Sequence, residues 1–222
     1  MPDDYLVSIG VVDSCPAMCL GIRQMLEGIG GYRLALCAGS GEAYLAACAL
    51  EEVPQLAIVD LQMPGMDGFV TIAALRERGL RTWALATTWE TTDELVTRAH
   101  TVGARGVLTK RFSPALLAGA LGDIRTSGYY YQDPGHRKLA RAASTTKGKA
   151  ADLALRLARL TDMQLKVLKR LRAGKSYDAI AADMKLSPYT VDDHLKRIRE
   201  KTGCRSRADL MVFAHDTGLL DQ

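Results

Sequence analysis

No run of about 18 uncharged apolar residues, the length a membrane-crossing helix needs, occurs in this chain. Its first residues, Met1-Pro2-Asp3-Asp4-Tyr5, are acidic where a secretory signal would be basic. The expectation is a protein of the cytoplasm with no membrane partner. Cysteine is scarce and unpatterned: Cys15, Cys19, Cys37, Cys48 and Cys204 make an odd count with no Cys-x-x-Cys pair. That argues against a disulfide framework and against a zinc site, and predicts reduced, mostly buried thiols. Cys15 and Cys19 are four residues apart and would share a helix face, where packing is the preferred reading over redox chemistry. The glycine-rich turn of a nucleotide-binding strand-helix unit is missing too. The first apolar run leads into Val12-Asp13-Ser14-Cys15-Pro16, and the glycines between Gly28 and Gly31 follow a helical stretch. There is no internal repeat and no low-complexity tract.

What remains is ordinary globular material, 222 residues with 48% hydrophobic and 24% charged, enough for two small domains that each bury a core. The net charge of +4 is unevenly spread. Residues 1–128 carry 10 Lys and Arg against 14 Asp and Glu, and residues 129–222 carry 19 against 11. A basic half tethered to an acidic one points the C-terminal half at a polyanion, most simply nucleic acid. A solvated lysine-rich surface would give the same sum.

Short apolar runs at Leu6–Val12, Arg33–Cys37, Leu56–Val59, Trp83–Ala86 and Gly106–Leu108 read as five strands. Helical patterns alternate with them and open on caps: Ser40 before Glu42–Leu50, Thr92 before Asp93–Val102, and Ser113-Pro114 before Ala115–Ile124. Repeated strand-helix units predict an α/β fold with a doubly wound, five-stranded parallel sheet over residues 1–127. From Gly128 the pattern gives way to linker composition over 128–157, within which Ala151–Leu160 has the spacing of a short connecting helix. Residues 158–222 read as a second, all-α domain. Thr161 and Gln164 form a capping box before Leu165–Leu171, Ser176 opens Tyr177–Met184, Ser187-Pro188 opens a helix to Thr202 that Gly203 ends, and a last helix covers Ser206–His215.

Open parallel sheets bind ligands beyond the carboxyl ends of their strands. The residues there are Asp13, Ser14, Asp60, Thr87 and Lys110. Asp13 and Asp60 end the first and third strands, so two carboxylates share one crevice in which a divalent cation such as Mg2+ can be held. Thr87 and Lys110 end the fourth and fifth, where a hydroxyl and an ammonium can hold the oxygens of a phosphoryl group. Any one of these residues would be unremarkable as a cap or a solvated side chain. Four of them at the ends of four strands exceed what capping requires.

The N-terminal half resembles the receiver domains of two-component response regulators over about residues 5–127. Asp60-Leu61-Gln62-Met63-Pro64-Gly65-Met66-Asp67-Gly68 matches that family's phosphoacceptor loop, and Gly103-Ala104-Arg105-Gly106-Val107-Leu108-Thr109-Lys110 its fifth-strand loop. The resemblance implies a flavodoxin-like receiver in which Asp60 accepts a phosphoryl group from a histidine kinase. It further implies Mg2+ held by Asp13, Asp60 and the carbonyl of Gln62, with Thr87 and Lys110 sensing the phosphoryl group and shifting the face of helix four, strand five and helix five. Two positions depart from the family: Ser14 stands where a second adjacent acid is usual, which weakens the metal site, and Val107 stands where an aromatic switch residue is frequent. These departures keep a second reading open, a receiver that works without phosphate by ligand sensing or constitutive dimerisation.

The C-terminal half, over about residues 158–218, resembles the LuxR-type helix-turn-helix, as in the NarL/FixJ class of regulators. The match runs through Leu160-Thr161-Asp162-Met163-Gln164-Leu165, Ala173-Gly174-Lys175-Ser176-Tyr177 and Leu186-Ser187-Pro188-Tyr189-Thr190-Val191-Asp192-Asp193-His194. It implies a transcription regulator whose recognition helix, Pro188–Thr202, enters the major groove of double-stranded DNA, and a homodimer reading two half-sites. Ser187, Tyr189, Thr190, Asp192, Asp193, Lys196, Arg197 and Lys201 are the candidate DNA-facing residues, with Ile180, Val191, Leu195 and Ile198 toward the core. Lys196, Arg197, Arg199 and Lys201 suit phosphate contacts. Asp192 and Asp193 are unusual: they are read first as stabilising the helix dipole, and alternatively as accepting from a cytosine amino group or weakening DNA binding until dimerisation compensates. A generic helical bundle with a charged face is the bland alternative. An enzyme is not expected. A hydrolase of the haloacid dehalogenase type needs a second acid two residues after its nucleophile, and here that position is Gln62.

Overall fold

A computed structural model describes residues 6–50, 52–145 and 149–217. They form two compact units, 1–145 and 146–222.

The first unit is built on a five-stranded parallel sheet in the order β2-β1-β3-β4-β5, with β1 Val7–Val12, β2 Tyr32–Ala38, β3 Leu56–Asp60, β4 Trp83–Thr88 and β5 Ala104–Thr109. Ile9, Val11, Val12, Ala57, Val59, Leu85 and Ala86 have no exposed surface. Such near-continuous apolar strands follow from helices covering both faces, which leaves no solvent side to alternate toward. Those helices are α1 Pro16–Ile29, α2 Gly41–Ala47, α3 Gly68–Glu77, α4 Asp93–Val102 and α5 Pro114–Ser127. Ser40, Thr92 and Ser113 cap α2, α4 and α5 as the sequence predicts, each accepting from a backbone N–H three residues on, an arrangement that stabilises by about 1 kcal/mol per cap.

Two close approaches fix the loop after β3. A Cβ at Gly68 would lie 2.2 Å from the carbonyl oxygen of Asp60, and one at Gly41 would lie 2.0 Å from Thr71 Oγ1. Only glycine lets α3 start against the end of β3 and α2 pack on α3.

The stretch read as linker holds more regular structure than its composition suggests. Tyr130 is buried in the first core, and its N–H donates to the Arg105 carbonyl at 2.8 Å. Beyond it α6, Pro134–Thr145, packs on α4. His100 of α4 sits against the rings of Tyr129 and Tyr131, whose centroids lie 6.4 and 5.9 Å away. Turn residues around Gly128 and Pro134 disguise this docking, because the aromatic side chains between them satisfy tertiary contacts rather than any local period.

The second unit is all helix: α7 Lys149–Ala158, α8 Asp162–Arg172, α9 Tyr177–Met184, α10 Pro188–Thr202 and α11 Arg207–Asp216. The short helix expected over Ala151–Leu160 is α7, displaced by two residues. It belongs to this core, with Leu153 and Leu157 packed against it and Arg156 donating to the Thr202 carbonyl at 3.1 Å. Ile180, Val191, Leu195 and Ile198 are fully buried. The turn between α9 and α10 passes through Lys185 in the left-handed region (φ 54°). The α8 capping box of Thr161 and Gln164 forms as the sequence predicts.

Candidate functional sites

The sheet brings Asp13, Asp60, Thr87 and Lys110 to one edge. Asp60 is the last residue of β3 and pairs in register with Thr87 of β4. Asp13 follows β1, and Lys110 follows β5. Their strands end together, so the four residues share one edge although 97 positions separate the first from the last.

Lys110 lies at the centre. Its Nζ is 2.8 Å from Asp13 Oδ2 and 2.9 Å from Asp60 Oδ2, and all three side chains are only 3–4% exposed. Burial pushes the ammonium pKa down, but hydrogen bonds to Asp13 and then Asp60 outweigh it, and the net direction is up. The remaining carboxylate oxygens take backbone donors: Asp13 Oδ1 accepts from the Cys15 N–H at 2.9 Å, and Asp60 Oδ1 from the Gln62 N–H at 3.0 Å. Thr87 is buried at 1% exposure. Ser14 is exposed beside the pocket.

The loop after Asp60 is pinned at several points. Leu61 donates its N–H to the Thr87 carbonyl at 2.9 Å, Asp67 caps α3 by accepting from Val70 at 2.9 Å, and Glu42 Oε1 accepts from the Met66 N–H at 3.1 Å. Sequence reasoning missed Glu42, which reaches the loop from α2 with no local signal of its role. It also missed Trp89, 53% exposed, whose ring lies 5.5 Å from Lys110 Nζ at the rim.

Oxygen donors suit a hard divalent cation, and Mg2+ in particular accepts one or two carboxylates while keeping waters and phosphate oxygens as further ligands. The two carboxylates of Asp13 and Asp60 meet that need sparingly. Among the described residues no group of three or more His, Cys, Asp or Glu is arranged to hold a metal. The two carboxylates suit such a cation in kind, with less negative charge than a third would supply and with Lys110 bonded to both.

In the second unit, Ser187 caps α10 by accepting from the Thr190 N–H at 3.0 Å, with the two hydroxyls 2.8 Å apart. Val191, Leu195, Ile198 and Thr202 are buried, leaving Tyr189 (84% exposed), Asp192, Lys196 and Arg197 on the open side. Thr190 and Asp193 are half-buried at its margin. Lys201 is turned elsewhere, its Nζ 2.9 Å from Gln164 Oε1. Asp192 and Asp193 lie in the second turn of a helix that starts at Pro188, and charge-dipole stabilisation fades beyond the first turn. The structure thus removes the main support for the dipole reading. Asp193 instead holds Arg197, 3.0 Å away, through an i,i+4 ion pair. Arg170 and then Lys175 hold the Asp183 carboxyl below the usual carboxylate range, clasping α8 to α9.

Comparison with known proteins agrees with both halves. Residues 9–121 match the response regulator receiver domain, and residues 158–214 match the bacterial regulatory proteins of the luxR family. The chain is 32% identical to the transcriptional activator protein ExaE of Pseudomonas putida, covering 96% of this chain and 98% of that one. It is 30% identical to the probable transcriptional regulatory protein NarL of Mycobacterium tuberculosis, covering 99% of each. The fold is shared with RcsB of Salmonella enterica serovar Typhimurium, solved bound to the promoter rprA, at TM-score 0.53 and 19% identity over 95% of this chain and 98% of that one. No described helix is long and apolar enough to cross a membrane. The chain belongs to the two-component response regulators with a LuxR-family DNA-binding domain, which are transcription regulators and not enzymes.

Proposed function

We propose that Asp60 is the phosphoacceptor of this regulator, that a histidine kinase in the cytoplasm supplies the phosphoryl group, and that the modified chain binds double-stranded DNA as a homodimer. The observation that carries the reading is the buried Asp60 carboxylate, held by Lys110 beside Asp13 at the edge of the sheet. A carboxylate oxygen of Asp60 attacks phosphorus, the bond from phosphorus to the donor's imidazole nitrogen breaks, and the imidazole takes up a proton. The product is an aspartyl phosphate of greater negative charge.

Lys110 keeps its ion pair with Asp13 and turns its remaining donors to the phosphoryl oxygens, and the hydroxyl of Thr87, in register with Asp60, donates to another. Asp13, Asp60 and the Gln62 carbonyl are the residues that would hold Mg2+, which when bound neutralises charge developing on the transferring group. The added charge then biases β4, β5 and α4, the elements that carry Thr87, Lys110 and the docked α6. In the second unit Ser187, Tyr189, Thr190, Asp192, Asp193, Lys196 and Arg197 form the DNA-facing side of α10, whereas Lys201, bonded to Gln164, is left out of it. DNA binding by RcsB, a relative in fold, supports that output.

The test is incubation with acetyl phosphate and Mg2+, read by intact mass, beside Asp60→Asn. An increase of one phosphoryl group in the native chain alone is expected. No Asp60-dependent increase would overturn the proposal in favour of a receiver working without phosphate, a reading that Ser14 and the buried Val107 favour.

A further inference from the structure

Three cysteines lie around the N-terminal end of α1, and the expectation of reduced thiols fails for two of them: Cys19 of α1 and Cys37 of β2 are joined by a disulfide. Their Cα atoms are 6.4 Å apart, within the range a disulfide spans without moving the backbone. Sequence reasoning missed the pair because 18 residues separate them and only the packing of α1 on the edge strand brings them together. Cys37 is exposed and Cys19 half-buried, so an oxidant or a reducing dithiol can reach the pair from outside. A transcription regulator works where DNA is, in a compartment whose thiols are kept reduced, and disulfides found there are characteristically transient.

The bond also brackets Asp13. On one side Cys19 lies one turn after Cys15, whose N–H donates to Asp13 Oδ1 at 2.9 Å. On the other, Cys37 directly precedes Ala38, whose carbonyl accepts the Asp13 N–H at 3.1 Å. Closing Cys19 to Cys37 ties together the two segments that hold this carboxylate in the pocket.

We propose that Cys19 and Cys37 form a reversible redox site, oxidised by peroxide and reopened by a dithiol, that sets the rigidity of the Asp13 side of the acid pocket. The exposed Cys37 thiolate attacks the peroxide O–O bond, forming a sulfenic acid and releasing hydroxide, which becomes water on protonation. Cys19 then attacks that sulfur, the S–S bond forms, and a second water leaves. Two thiols and one hydrogen peroxide give one disulfide and two waters. A dithiol reverses the reaction by exchange and is itself oxidised. None of these steps needs Asp60 to accept a phosphoryl group.

The experiment uses the full-length protein, reduced, desalted and treated with stoichiometric hydrogen peroxide. Alkylation and peptide mapping should recover Cys19 and Cys37 as one linked peptide, which dithiothreitol or a strongly reduced glutathione buffer reopens in the folded protein. Hydrogen exchange should show the Cys15 amide about three- to tenfold slower in the oxidised form, with no such difference in Cys37→Ser. Four results overturn the proposal. The first is both cysteines separately alkylated after peroxide, and the second a Cys15–Cys19 bond in place of the expected one. The third is a pair that resists reduction in the folded chain, which marks a structural staple, and the fourth a link that leaves exchange at Cys15 unchanged, which removes the coupling to the pocket. Mapping and exchange are both read on the native chain, so the outcome stands even if Cys37→Ser fails to fold.

Discussion

Replacing Lys110 by methionine keeps most of the side-chain length and deletes the charge that joins Asp13 to Asp60. All three side chains are only 3–4% exposed, so solvent screening offers little relief, and breaking a buried ion pair from one side costs about 3–5 kcal/mol. That is a large share of the roughly 5–15 kcal/mol that holds a domain folded. With a urea dependence of about 2 kcal/mol per molar, the unfolding midpoint of the first unit should fall by about 2 M. Both tryptophans, Trp83 and Trp89, lie in this unit, so tryptophan fluorescence of the full chain reports its unfolding selectively.

The pH dependence carries the sharper test. In the native protein the Lys110 pKa is raised, so its contribution is fully present below the ordinary lysine value and is lost only as pH rises beyond it. Between pH 5 and 8 that contribution is flat. In Lys110→Met two carboxyl groups share a buried site without a counter-charge, and the folded state favours taking up a proton. The variant should therefore recover stability relative to the native chain as pH falls from 8 to 5. At pH 7.5, adding Asp60→Asn to Lys110→Met should also restore part of the loss. A destabilisation below about 1 kcal/mol, or one independent of pH across this window, would refute the picture of a buried lysine bridging two acids.

Burial lowers the His100 pKa against the opposing effect of its bond to the Ala104 carbonyl, so its contribution is complete above about pH 6.5 and is lost as pH falls below it; His100→Asn should remove up to about 1.4 kcal/mol of the stability lost by pH 5.5, read by denaturant titration. Lys185→Gly relieves a left-handed backbone at φ 54° and should stabilise the second unit by about 1 kcal/mol in thermal unfolding followed by circular dichroism. Lys196→Ala should weaken binding to duplexes selected from a random pool, lowering the salt slope by about one ion while leaving the selected sequence unchanged; unaltered affinity at moderate salt would take Lys196 off the DNA. Asp193→Asn should free Arg197 from its ion pair for phosphate and raise the salt slope by about one ion while leaving the selected sequence unchanged; an unaltered slope would remove Arg197 from the phosphate contacts.

The contrast between what the sequence foretold and what it hid follows from the range of the forces involved. Asp60, Thr87 and Lys110 were legible because each ends an apolar run, and a parallel sheet places all its carboxyl ends on one edge whatever the loops do. The caps at Ser40, Thr92, Ser113, Thr161 and Ser187 were legible because they act within three residues. What Lys110 does there was not legible. A lysine at a strand end is compatible with solvent, with a phosphoryl group or with two carboxylates, and only the depth of the pocket selects the last. Glu42, Tyr130 and the Cys19–Cys37 pair were hidden for the same reason: each acts on a segment 18 or more residues away, and no periodicity records it.

Asp192 and Asp193 show the intermediate case. They lie in α10 as expected, and of the readings open for them, the helix dipole, a cytosine amino group or weakened DNA binding, the first depended on a place in the first turn that they do not occupy. The ion pair makes Asp193 a positioner of the Arg197 guanidinium, a task that depends on a side chain four residues further along the same face. The ion pair thus ties the charge of Asp193 to the side chain of Arg197 rather than to the end of the helix.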